Sequence, residues 1–179
     1  MTDAHLHGLF EMNRDPEVMR YITGKPDTLA DTQAMIDRVK MRWSQWGFSW
    51  WTFFEIGTGE IVGAGCIQYL RGDTAGPHEI GWRLRRDRWG VGYGSEAARR
   101  MAAFAFDELD APQLVAVADP ENAGSLHVMK KLGLSYRGIE RLHDSDVAVY
   151  GMTADEWRAR NGPGPVGAAR AADQSPPTK

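Results

Sequence analysis

Cysteine is almost missing from this chain: Cys66 is the only one in 179 residues. That excludes an internal disulfide framework and fits a reducing cytoplasm. Cys66 lies in an apolar strand-like segment, which reads as a buried small hydrophobe rather than a nucleophile. No apolar run is long enough to span a membrane and no signal peptide is apparent, so a soluble, cytoplasmic protein is expected. Long basic runs are missing too, and the formal net charge is −3. Nucleic acid is therefore not expected as a partner, although a local basic patch for an acidic cofactor remains compatible with this charge. The histidines show no metal-ligand spacing. There is no internal repeat.

What is present suffices for one core, since 42% of residues are hydrophobic. Leu6, Leu9, Phe10 and Asn13 mark a short helix that breaks near Asp15-Pro16, and a second helical turn follows through Val18, Met19 and Ile22. Thr28 and Asp31 resemble a capping box ahead of a long stripe through Thr32, Met35, Ile36, Val39, Trp43 and Trp46. Phe48 to Ile56 reads as an apolar strand, turned by Gly57-Thr58-Gly59 into a second strand that ends near Leu70. From Gly162 to Lys179 the composition shifts to Gly, Pro, Ala and Ser without apolar period. A folded domain over 1–158 with a disordered tail over 159–179 is expected.

The centre of the chain carries chemistry. His78 to Leu84 alternates, with Ile80, Trp82 and Leu84 on one face, while Ala98 to Leu109 has helical spacing. Between them lies Trp89-Gly90-Val91-Gly92-Tyr93-Gly94, a glycine-rich turn at the positive end of a helix, where backbone amides can receive a phosphate. Ser95 and Glu96 are expected to open that helix, with the Ser95 hydroxyl capping it or touching the same anion. No lysine follows the last glycine, as a nucleotide P-loop needs, and the glycines are not spaced as in a dinucleotide fingerprint. A nucleotide-dependent oxidoreductase or phosphoryl-transfer enzyme is therefore remote. Downstream, Leu114 to Ala118 reads as a short strand. Asp119-Pro120 is expected to start a helix closed by Gly133, placing Asn122, Ser125 and Met129 on one face. Strands around Leu134 to Glu140 and Val147 to Met152 follow.

Arg88-Trp89-Gly90-Val91-Gly92-Tyr93-Gly94-Ser95-Glu96-Ala97, Asp119-Pro120-Glu121-Asn122-Ala123-Gly124-Ser125 and Lys130-Lys131-Leu132-Gly133-Leu134 resemble the GNAT superfamily of N-acetyltransferases. Asp15 to Tyr21 and Glu79-Ile80-Gly81-Trp82 are similar to its branch typified by the enzymes that acetylate ribosomal-protein N-termini. The likeness runs from about Thr2 to Trp157. It implies a mixed α/β fold: a central, mostly antiparallel twisted sheet, a splayed parallel pair at the cofactor site, and flanking helices. Relatives begin with a strand that this chain lacks or that a displaced start removes. Phe48 to Phe54 should then be an exposed sheet edge, prone to pairing in a homodimer.

The resemblance implies acetyl-CoA as cosubstrate, with its pyrophosphate held by Gly90, Gly92, Gly94 and Ser95 and its pantetheine arm by backbone groups of Trp82 and Leu84. Asn122 is expected to position the cofactor and the helix start. Many relatives carry a tyrosine where Met129 stands, and methionine cannot donate a proton. Ser125 becomes the first choice for that role, with a merely hydrogen-bonding serine as its rival. Glu79, facing away from Trp82, is the candidate base; the competing reading pairs it structurally with an arginine such as Arg83. His78, His127 and His143 are further possibilities. The acceptor end should involve Asp15 to Trp50 and the Arg141–Asp146 loop, where Asp144 and Asp146 suit a cationic amine. Tryptophans 43, 46, 50 and 51 suit either an ammonium pocket or the core. The expected acceptor is a protein N-terminal amine or a small-molecule amine, without a metal. The alternative is a non-catalytic acyl-CoA binding or sensing module.

Overall fold

A computed structural model describes residues 1–142 and 145–162. Three helices come first: α1 (Leu6–Asn13), the single turn α2 (Pro16–Met19) and α3 (Leu29–Trp46). Asp15 caps α2 by accepting from Glu17 N, and Pro16 occupies its first position. Thr28 and Asp31 cap α3 reciprocally, as their spacing predicts. No strand precedes α1 among the described residues.

The sheet has six strands in the order β1-β2-β3-β4-β6-β5. β1 (Trp50–Phe54), β2 (Ile61–Tyr69) and β3 (His78–Leu84) form an antiparallel meander. β4 (Gln113–Ala118), β5 (Ser135–Leu142) and β6 (Ser145–Thr153) form an antiparallel group in which β4 and β5 both flank β6. The two groups meet only where β3 runs parallel to β4, and that pairing is short: His78 opposite Leu114 and Glu79 opposite Val115. Beyond Glu79 the strands part, which is the splay the family resemblance implied.

Two apolar clusters hold the sheet. One joins α1–α3 to β2 through Leu9, Met12, Met19, Ile36 and Ala64. The larger gathers α4 (Tyr93–Ala103), Ile67, Ile80 and Leu114, with Met129 of α5 (Ala123–Leu132) and Trp157 of α6 (Ala154–Asn161). Gly65 makes this packing close, because a Cβ there would lie 2.6 Å from the Phe53 ring and 2.8 Å from the Met101 methyl. Periodicity predicts one helix from Ala98 through Leu109, but α4 passes into a π-turn over Phe104–Glu108, where Leu109 N donates to Phe104 O at 3.1 Å. The wider turn lets Phe106 stack on Trp157.

β1 is the outermost strand, but the edge expected from Phe48 begins only at Trp50, because Phe48 and Ser49 are buried. Ser49 O accepts from Ile67 N, so alternation turns the N–H and C=O of Trp50 and Thr52 away from β2. Side chains lean on this edge: Trp43 Nε1 donates to Trp50 O at 3.1 Å, and the His5 ring contacts Thr52 and Phe54. α6 runs to Asn161, three residues past the expected domain boundary, and the rest of the expected tail, from residue 163, lies outside the described residues.

Candidate active site

A cleft of about 730 Å³ opens where β3 and β4 separate. Its floor follows from strand register. Arg85 N donates to Val62 O, so alternate residues Arg83, Gly81 and Glu79 bond to β2, while the N–H and C=O of Trp82 and Leu84 face the gap β4 has left. Among the described residues no strand pairs with these backbone groups, which leaves them open to an extended amide-bearing ligand. Trp89 Nε1 already donates to Leu84 O at 3.0 Å.

One wall is the N-terminus of α4. The expected start at Ser95 is corrected: α4 begins at Tyr93 and its cap is Gly92 in the left-handed region (φ 103°), with no side chain satisfying the first amides. Gly90 is also left-handed (φ 78°). An uncapped first turn leaves several N–H groups without partners and a partial positive charge, a ready anion site. The loop is braced from outside, since Tyr93 Oη donates to Glu55 at 2.5 Å and Arg88 contacts Glu60 at 3.3 Å.

The opposite wall is the N-terminus of α5. The helix was expected to start at Asp119-Pro120, but those residues form a turn closed by Asn122 N to Asp119 O at 2.9 Å. Glu121 N also donates to the Asp119 carboxylate, so that side chain stabilises a turn and the cap passes to Asn122, whose Oδ1 accepts from Ser125 N at 3.1 Å. Ser125 lines the cleft half-buried, whereas Met129 is buried in the core and does not line it.

The fold thus brings Trp82, Leu84, Gly90, Gly92, Gly94, Ser95, Asn122 and Ser125 to one cleft. Glu79 is not among its lining residues. It stands at the apex of the splay, as the last β3 residue paired with β4, and its side chain faces the α1–α3 flank. Gln68 Nε2 donates to its carboxylate at 2.8 Å, while Gln68 Oε1 accepts from Arg42 and Trp50. Burial raises the Glu79 carboxyl above its ordinary range, and the Gln68 hydrogen bond opposes this in part. The rival pairing with Arg83 does not form: Arg83 lies over the Trp50 ring, 4.9 Å from its centroid.

Of the other candidates, Cys66 is buried and burial pushes its thiol well up, as expected of an inert side chain. His127 lines the cleft and His78 packs against Phe48 and Tyr69. Asp146 pairs with Arg141 at 3.2 Å, while His143 and Asp144 lie outside the described residues. Tryptophans 43, 46, 50 and 51 make aromatic or cation–π contacts within the fold, and none lines the cleft. Within the expected acceptor region from Asp15 to Trp50, Glu17, Arg20 and Tyr21, none of them singled out individually by sequence, close the cleft from the α2 side, where Tyr21 Oη donates to Glu121 O at 3.4 Å. The signal there is the helical turn read through Val18, Met19 and Ile22. Among the described residues no group of three metal-binding side chains occurs, and no helix is long and apolar enough to cross a membrane.

Comparison with known proteins agrees with this geometry. The chain is 32% identical over 147 residues to the uncharacterized protein YkkB of Bacillus subtilis, covering 82% of this chain and 84% of that one. It is 30% identical over 131 residues to the uncharacterized N-acetyltransferase YnaD of the same organism, covering 73% and 74%. Its fold matches that of AAC(6')-Ib, solved in complex with parmomycin and acetyl-CoA, with a TM-score of 0.77 at 18% identity over 90% of this chain and 94% of that one. Residues 1–135 match the acetyltransferase (GNAT) domain model. The chain belongs to the GNAT acetyltransferase family.

Proposed function

We propose that this protein transfers an acetyl group from acetyl-CoA to a primary amine, on a small molecule or a protein N-terminus. The observation that carries this reading is the cleft itself, which joins an uncapped helix N-terminus, two strand residues that β4 leaves unpaired and the Ser125 hydroxyl in one channel. Bound acetyl-CoA supplies an activated thioester. The amides of the Gly90–Ser95 turn hold its pyrophosphate, and Trp82 and Leu84 offer backbone partners to its pantetheine arm. Ser125 donates a proton to the departing thiolate, and Glu79 takes one from the amine through water across the apex of the splay. A ribosomal-protein N-terminus is the acceptor that the Asp15–Tyr21 and Glu79–Trp82 segments favour by resemblance. The lone buried cysteine supports a cytoplasmic setting.

Calorimetry with acetyl-CoA, beside the variant Gly92→Glu, tests the reading. Micromolar binding lost in the variant supports it, and an absence of binding to the wild type refutes it. The non-catalytic binding module is favoured by one observation, the core methionine at position 129. Binding without thiol release across amines would establish that alternative. The outward backbone groups of β1 support a homodimer through that edge, and a single-chain mass by light scattering at high micromolar concentration would refute it.

A further inference from the structure

Glu79, Gly81 and Arg83 alternate onto the flank of β3 facing α1–α3, opposite to Trp82 and Leu84. Four steps along the strand lead from Glu79 to Arg83, roughly 13 Å between their Cα atoms. Gly81 between them is half-buried and has no side chain, and a Cβ there would meet only the Cys66 sulfur, at 3.3 Å. This strip therefore has a carboxylate at one end, a guanidinium at the other and bare backbone between.

The guanidinium is unusual. Arg83 is 7% exposed, yet its buried Nε and Nη2 have no hydrogen-bond partner. Those two atoms share one edge of the guanidinium, the edge that grips a carboxylate through two parallel hydrogen bonds. The Trp50 ring under its face fixes the plane of that fork. Asp27 is the acidic residue whose charge acts on Arg83, but the two form no ion pair among the described residues. Asp27 instead accepts from Asn13 Nδ2 at 3.2 Å, and burial raises its carboxyl despite the arginine. A buried cation with two bare donors is costly unless something occupies them.

We infer that Arg83 is the receptor for a carboxylate on the acceptor, so that the substrate class is zwitterionic: an amino acid or short peptide whose amine lies toward Glu79 and whose carboxylate lies on Arg83. This inference rests on the acetyl-transfer reading and narrows it, setting free amino acids and short peptides ahead of a ribosomal-protein N-terminus, which has no terminal carboxylate near its amine. Polyamines and aminoglycosides carry no anion for Arg83, and its charge opposes their entry.

The test is thiol release from acetyl-CoA with the twenty standard amino acids and their glycyl dipeptides, each beside its C-terminal carboxamide, with spermidine as the polycation. Wild type and Arg83→Gln are compared, and acetyl-CoA affinity of both is followed by calorimetry. The best acceptor should be a carboxylate whose kcat/KM exceeds that of its carboxamide by about ten-fold or more. Arg83→Gln should bring that ratio close to one, with the loss appearing in the KM of the carboxylate acceptor. Should the variant fail to fold, the Arg83 Nε–H resonance of the wild type should shift with the best amino acid and stay still with its carboxamide. With acetyl-CoA bound, equal or better turnover of carboxamides or spermidine overturns the inference, as does failure to use any carboxylate. So does a ratio that survives Arg83→Gln or an unmoved resonance. Failure of the wild type to bind acetyl-CoA overturns the acetyl-transfer reading itself, and this inference with it.

Discussion

The two flanks of β3 are built from different materials. On the flank of Trp82 and Leu84, the site consists of backbone: unpaired strand amides, an uncapped helix start and two left-handed glycines. On the flank of Glu79 and Arg83 it consists of side chains brought from α3, β1 and β2, with Arg42, Trp50 and Gln68 converging on one strand. Backbone sites hold ligand features that do not vary, such as a pyrophosphate. Side-chain sites hold what distinguishes one substrate from another.

The comparison breaks most completely at Gly92. Glutamate there places an L-residue at φ 103° and a carboxylate where an anion is to bind. Acetyl-CoA affinity should fall by about a hundred-fold or more; a Cβ at Gly92 meets no atom within 4 Å, so the native circular dichroism should persist, but the left-handed φ strains the new residue and the melting temperature should fall. A variant that still binds acetyl-CoA would remove the backbone flank from the site.

Glu79→Gln probes the other flank with a smaller expected loss, about a hundred-fold in kcat/KM. The Gln68 contact can persist, since an amide oxygen still accepts from Nε2. Burial raises the Glu79 carboxyl, so the native state favours its protonated form more than the unfolded chain does. Its stabilising contribution is fully present below the unfolded value and is lost as pH rises through the raised folded value. The variant should therefore melt higher than the wild type at neutral pH and lose the acid limb of the pH–rate profile. An unchanged acid limb would remove Glu79 from proton transfer.

The same division explains what could be read from the sequence. The glycine turn, the capping box of α3 and the β1–β2 hairpin are local, and each was legible because a few adjacent residues determine it. Helix starts were misplaced where two local rules competed: Asp119 satisfies a turn and Asn122 the cap, and Gly92 begins α4 without any capping side chain. Arg83 looked like a partner for Glu79 because both lie on one face of one strand. Its actual neighbour, Trp50, comes from a strand two places away, and no pattern in the sequence announces that contact.

Ser125 lies on the α5 wall of the cleft, and its loss should have the smallest effect. Its amide, not its hydroxyl, takes part in the Asn122 cap, so Ser125→Ala removes the hydroxyl without touching the helix start, and the melting temperature should hold. If the hydroxyl protonates the thiolate, kcat falls by about ten-fold or more while the KM for acetyl-CoA stays constant. If it only holds the pantetheine arm, KM rises and kcat is preserved, since the contact is then the same in ground and transition states. The second result would leave thiolate protonation to water. It would also turn Met129 from a departure in the family pattern into an ordinary core residue with no vacancy for Ser125 to fill.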